Sequence, residues 1–173
     1  MGVNELTLGL TLGIAAFTDW REHKIYNKLL LPAFTIALLL NSFQDGVSGL
    51  TSSLLGAAMG FALLLIPYLM GGMGAGDVKL LAVIGAFGGI TFVLTSFLYG
   101  AVIGGVISIY LLVRRQTLGN TLKYFFLFFS ILRKPQRFSN AINNSNKEKF
   151  PYGIAIVIGT FIAFFLPLGG WSL

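Results

Sequence analysis

From Leu80 to Val113 the chain carries no charged side chain, and neither does the stretch from Gly46 to Gly76. About 20 apolar residues suffice for a helix to cross a bilayer, so stretches of this kind read as membrane spans. Only 10% of the 173 residues are charged and 55% are hydrophobic, with a mean hydropathy of +0.83. Soluble domains average about 25% charged residues. The expected fold is an all-α integral membrane protein, one domain over residues 1–173, with no length left for a separate soluble domain. The absence of cysteine excludes a disulfide framework, a thiolate nucleophile and a zinc knuckle, and the single histidine, His23, excludes a multi-histidine metal site. The net charge of +6 raises the question of nucleic acid, but the bases lie beside the apolar runs. They read as topology signals and contacts to anionic lipid, with no nucleic-acid partner. The N-terminus lacks the pattern of a cleaved signal peptide and reads as the first span.

Six apolar segments are expected: Val3 to Phe17, Leu29 to Leu40, Leu50 to Met70, Val78 to Phe87, Ile90 to Val113 and Ile154 to Leu168. The second is expected to start near Asn27 or Lys28. Asn41 to Gly49 reads as a polar turn, and Pro67 is expected to kink the last turn of the third span. Gly88-Gly89 is expected to break the run that starts at Lys79, which is too long for one crossing. Small residues at Gly56, Ala57, Ala58 and Gly60, and at Gly100, Gly104 and Gly105, suit close helix packing in lipid. Leu118 to Leu132, rich in phenylalanine, reads as an interfacial helix between the fifth and sixth spans, and Asn140 to Lys149 as a polar loop. All 12 Lys and Arg fall in Arg21 to Lys28, at Lys79, or in Arg114 to Lys149. With six spans these positions share one side, which the positive-inside rule makes the cytoplasm, leaving both termini outside. Such a chain is expected in the inner (cytoplasmic) membrane.

Asp19 and Asp77 stand out on this layout. Asp19 closes the first span, and Asp77 follows the glycine-rich run Gly71-Gly72-Met73-Gly74-Ala75-Gly76 and opens the fourth. Both therefore lie at the same depth on the cytoplasmic side. Ionisable groups at such a boundary are costly unless paired, solvated or functional. The glycines permit positive φ and close backbone approach, and Asp77 is expected at the helix N-cap beside the positive end of the dipole. Two facing carboxylates can share one proton, and such a pair can hydrolyse a peptide bond without a metal or cofactor. Glu22 and Glu148 lie further into polar loops, and Glu5 and Asp45 lie on the opposite side.

Each residue also has a plainer reading. Asp77 can simply cap a helix, Asp19 can be a solvated loop charge beside Arg21 and Lys24, and His23 can be a loop residue. Lys79 can be a snorkelling lysine, and the phenylalanines can face lipid. The glycine-rich run lacks the Lys-Ser/Thr ending of a phosphate-binding loop. Competing functions are a proton or ion transporter, a non-catalytic pilus or secretion assembly protein, and a presenilin-type intramembrane protease. A transporter usually places its ionisable groups near the bilayer midplane, and here the deep spans are uncharged.

Three motifs carry a resemblance to the type IV prepilin peptidases, membrane aspartic endopeptidases that include the archaeal preflagellin peptidases. The stretch Asp19-Trp20-Arg21-Glu22-His23-Lys24-Ile25-Tyr26-Asn27 resembles the family's first-aspartate motif. Gly74-Ala75-Gly76-Asp77-Val78-Lys79 resembles its Gly-x-Gly-Asp-x-Lys motif. Phe150-Pro151-Tyr152-Gly153-Ile154-Ala155 is similar to its Pro-Phe/Tyr-Gly entry to the last span. The resemblance implies cleavage of prepilin-like substrates between a short basic leader and an apolar helix, with Asp19 and Asp77 as the catalytic pair. It implies that Gly74 and Gly76 shape the turn carrying Asp77, and that Lys79, Asn27, Pro151 and Gly153 support the site. Bifunctional members carry an extra N-terminal region, often with a cysteine quartet, so this chain is expected to act as a peptidase without methyltransferase activity.

Overall fold

The structure is a computed structural model that describes residues 2–22, 25–69, 73–114 and 152–166. Four helices account for nearly all of them: α1 (Val3–Glu22), α2 (Asn27–Leu69), α3 (Ala75–Arg114) and α4 (Tyr152–Phe165). The expected interfacial helix at Leu118 to Leu132, the loop at Asn140 to Lys149, and the residues His23, Lys24, Gly71, Gly72 and Pro151 lie outside the described residues. The chain divides into two compact units, residues 1–104 with 150–173, and residues 105–149. Of the second, the described part is the C-terminal end of α3.

The sequence of α1 gives it two apolar faces. Leu8, Thr11, Leu12, Ala15 and Asp19 recur every three or four residues and are buried. Val3, Leu6, Leu10, Ile14 and Phe17 recur on the other face and are exposed. A continuous exposed apolar stripe is out of place in water and suits lipid. The buried stripe packs on α2 and α4 and ends at Asp19.

The helices α2, with 43 residues, and α3, with 40, would each extend about 60 Å or more if straight. That is about twice the hydrocarbon thickness of a bilayer. Both are instead interrupted at a glycine in the left-handed region, Gly46 (φ 61°) and Gly89 (φ 74°), where a side chain would be strained. The break expected at Gly88-Gly89 is therefore present. The polar turn expected over Asn41 to Gly49 is narrower than that: the backbone departs from helical geometry only at Gly46. Hydroxyl-to-carbonyl bonds such as Ser48 Oγ to Asp45 O (2.6 Å) satisfy polar groups there. Pro67 lies inside α2 with helical backbone angles, and the helix ends two residues later. Among the described residues, α2 and Ala75–Ser108 of α3 are long and apolar enough to cross a membrane, and α4 is a shorter apolar helix.

The segment of α3 before Gly89 is the core helix. Val78, Leu80, Leu81, Val83, Ile84, Ala86 and Phe87 are all buried, covering its whole circumference as expected of a helix surrounded by others. The second half of α2 reaches it through glycine: a Cβ on Gly56 would overlap the Gly85 carbonyl oxygen, and one on Gly85 would overlap that of Gly56. Phe92 of α3 meets Phe164 of α4 edge to face, with ring centroids 6.0 Å apart.

The end of the bundle opposite Asp19 is tied by amides. Asn4 Nδ2 donates to Asn41 Oδ1 (2.8 Å) and to Gln44 Oε1 (3.1 Å). Asn41 Nδ2 donates to Ser53 Oγ (2.6 Å) and to the Ala86 carbonyl (2.9 Å), one of the acceptors exposed by the break at Gly89. Replacing Asn41 with alanine is expected to lower stability in detergent by about 1–2 kcal/mol. Thermal unfolding checks this, and any activity per folded molecule is expected to be unchanged because Asp19 lies near the other end of α1.

Candidate active site

The two aspartates reach one end of the bundle by different routes. Asp19 is the last residue of the buried stripe of α1, one turn before the helix ends, and is 5% exposed. It is a helical, buried carboxylate and not the solvated loop charge of its plainer reading. Its neighbour Trp20 turns outward and is 75% exposed.

Asp77 lies in the first turn of α3 and is 8% exposed. The expected N-cap position belongs to Gly74 instead. The Gly74 carbonyl accepts the Asp77 N–H (3.2 Å), which is the first bond of the helix. Asp77 Oδ2 in turn accepts the Gly74 N–H (3.2 Å). This is the back-reaching half of a capping box, and it fixes the carboxylate against its own turn. Ala75 and Gly76 already belong to α3, which moves the cap upstream of Asp77.

Asp19 and Asp77 are near enough to repel one another electrostatically. The glycines of the motifs lie close against these groups. A Cβ on Gly153, in the first turn of α4, would lie 2.6 Å from Asp19 Oδ2 and 3.1 Å from Ile25 Cδ1. A Cβ on Gly76 would lie 3.0 Å from Ile25 Cβ, and one on Gly74 would lie 3.3 Å from Asp77 Oδ2. Asp77 thus lies in the first turn of α3, and Asp19, in the last turn of α1, lies against the first turn of α4.

Lys79 and Asn27 also converge here. Lys79 Nζ donates to Asn27 Oδ1 at 2.9 Å, joining α3 to the first residue of α2 across 52 positions of sequence. Lys79 is therefore tethered to a neighbouring helix as well as exposed at the rim. At the same rim Tyr26 donates its hydroxyl to Glu22, and that bond and the adjoining carboxylate push the phenol above its ordinary pKa of 10.0. Among the described residues no three of His, Cys, Asp and Glu gather into a group able to hold a metal ion.

Of the eight residues singled out in the sequence, Asp19, Asp77, Gly74, Gly76, Lys79, Asn27 and Gly153 come together, and Pro151 lies outside the described residues. Ile25 was missed. Its contact with both Gly76 and Gly153 is a tertiary fact, and its one sequence signal is its place two residues before Asn27.

A sequence model of the type IV leader peptidase family matches residues 6–109. The prepilin leader peptidase/N-methyltransferase of Pseudomonas putida is 31% identical over 127 residues, covering 68% of this chain and 44% of that protein. The protein of the same name from Bacillus subtilis (strain 168) is 36% identical over 98 residues, covering 54% of this chain and 38% of its own length. One from Stutzerimonas stutzeri is 34% identical over 108 residues, covering 57% of this chain and 37% of its own length. The matched stretch thus spans less than half the length of each of these relatives. No solved structure matches the chain. With the family match extending over more than half its residues, the chain belongs to the type IV leader peptidase family.

Proposed function

We propose that the chain is a membrane-embedded aspartic endopeptidase that removes the short basic leader of type IV prepilin-like proteins at the cytoplasmic membrane boundary. The observation that carries this reading is the meeting of two buried aspartates, from α1 and α3, at one end of an apolar bundle. Membership of a leader peptidase family supports the substrate class. The breaks at Gly46 and Gly89 support six crossings, made by α1, the two halves of α2, the two halves of α3, and α4. With six crossings, every Lys and Arg falls on the side of the aspartates, in keeping with a multi-pass protein of the cytoplasmic membrane with both termini outside.

The chemistry follows from the pair. Together the two carboxylates hold one proton. The ionised one takes a proton from a water, and the oxygen of that water attacks the scissile carbonyl carbon. The protonated one donates its proton to the carbonyl oxygen, so the tetrahedral intermediate is neutral. The aspartate that took the water proton then gives it to the leaving nitrogen while the other takes a hydroxyl proton from the intermediate, so the carbonyl re-forms, the C–N bond breaks and the mature N-terminus is released. Neither step requires a metal or an organic cofactor.

A substrate series tests the reading. The basic leader is moved stepwise along the apolar helix of a prepilin-like protein, and the cut is located by mass spectrometry after incubation in liposomes. Cleavage is expected only where the junction lies at the membrane boundary, and the cut is expected to follow that junction. Equal cleavage of junctions buried at mid-bilayer, or of soluble unrelated peptides, would contradict the boundary site.

A further inference from the structure

We infer that Ile25 and Asn27, at the entry to α2, act as a positioning strap that sets the spacing of the two aspartates. The inference rests on the reading of Asp19 and Asp77 as the catalytic pair. Three observations on the strap carry it. The Ile25 side chain, half-buried outside any helix, lies against two glycines at once, Gly76 in the first turn of α3 and Gly153 in the first turn of α4. Gly76 directly precedes Asp77, and Gly153 is the residue against which Asp19 Oδ2 rests. Two residues on, Asn27 accepts the Lys79 ammonium proton at 2.9 Å, so the strap is fastened to the same turn of α3 a second time.

The contacts are direct. The Ile25 backbone N and O both lie 3.5 Å from the position a Gly76 Cβ would take, so the strap and the turn touch through backbone as well as side chain. The Ile25 Cδ1 atom lies 3.1 Å from the position a Gly153 Cβ would take, and Asp19 Oδ2 lies 2.6 Å from that same position. One branched side chain therefore touches both turns that carry or support the carboxylates. A β-branched residue suits this task, because its χ1 is stiff and transmits position. Shortening the side chain leaves each helix intact but removes what sets the distance between the turns.

The test is steady-state cleavage in liposomes by Ile25→Ala, Ile25→Val and Lys79→Met, beside Asp19→Asn and Asp77→Asn, with the folded fraction measured by thermal unfolding. Misplacing catalytic groups by about 1 Å can lower the rate up to about 100-fold. Ile25→Ala is accordingly expected to lower kcat by about tenfold or more per folded molecule, with KM within about threefold. Ile25→Val, which keeps the branch against Gly76 but loses the Cδ1 that reaches Gly153, is expected to fall between the wild type and Ile25→Ala in kcat. Lys79→Met, which removes the second fastening, is expected to lower kcat without raising KM. A kcat for Ile25→Ala within twofold of the wild-type value, or a loss explained by unfolded protein, would overturn the strap. So would a rise in KM alone, which would make Ile25 a substrate contact. Activity in the two aspartate variants would instead overturn the catalytic pair itself, so the two failures are distinguishable.

Discussion

Asp19→Asn and Asp77→Asn are each expected to abolish leader cleavage while leaving the protein folded in the membrane. The amide is nearly the same size as the carboxylate but can neither accept a proton from water nor share one with its partner. Residues that act as one catalytic unit are not additive, so either change alone is expected to lower kcat by about 10⁴-fold or more, and the double variant by little further. The fold is expected to survive for a stated reason at each position. The amide introduced by Asp77→Asn retains a side-chain oxygen able to accept the Gly74 N–H that Asp77 now holds at 3.2 Å. At position 19 the change replaces a buried carboxyl group, close to another, by a neutral amide of nearly the same size. Neither variant is therefore expected to melt earlier than wild type by more than a few degrees, which thermal unfolding in detergent checks. Full cleavage by either variant would remove that aspartate from the mechanism.

Gly153→Ala is expected to lower cleavage strongly with a single added methyl group. The new Cβ would lie 2.6 Å from Asp19 Oδ2 and 2.9 Å from its Cγ, closer than real side chains approach. Either the carboxylate or the first turn of α4 must move. The backbone of α4 is held along its length, with Ala155, Ile156, Val157, Thr160 and Ala163 all buried and a Cβ on Gly159 overlapping the Gly100 backbone N. The carboxylate is therefore expected to give way, displaced toward Asp77 or out of line with it. A misplacement of about 1 Å corresponds to a loss of up to about 100-fold in kcat. The measurement is kcat per folded molecule, with Gly105→Ala as the control, since a Cβ there meets nothing within 4 Å. Equal activity in the Gly153 and Gly105 variants would mean that α4 does not set the position of Asp19.

The sequence carried the layout of this molecule further than its details. Long uncharged runs and the clustering of bases are summed over many residues, so the helices, the break at Gly89 and the shared end of the two aspartates were legible. Single-residue geometry was not. Asp77 looked like a cap because an apolar run follows it, yet Ala75 and Gly76 also take helical geometry and hand the cap to Gly74. Asn41 looked like a turn residue because it is polar, yet it bonds across the bundle to the end of the α3 core segment. Lys79 looked like a surface cation, yet it finds Asn27 on α2. In each case the partner lies far along the chain or depends on one residue's dihedral angles, and neither leaves a periodic trace. The motif glycines lie between these extremes. Their spacing marked them, and the structure supplies the reason at Gly153, where only a hydrogen fits against Asp19.

The central claim is tested most directly by cleavage of a prepilin-like substrate by the purified chain in liposomes, beside its Asp77→Asn variant, with the products identified by mass. The account predicts one cut at the junction of basic leader and apolar helix by the wild type, and none by a variant that unfolds at the same temperature. An intact substrate with folded wild-type protein, or the same cut made by the variant, would contradict it.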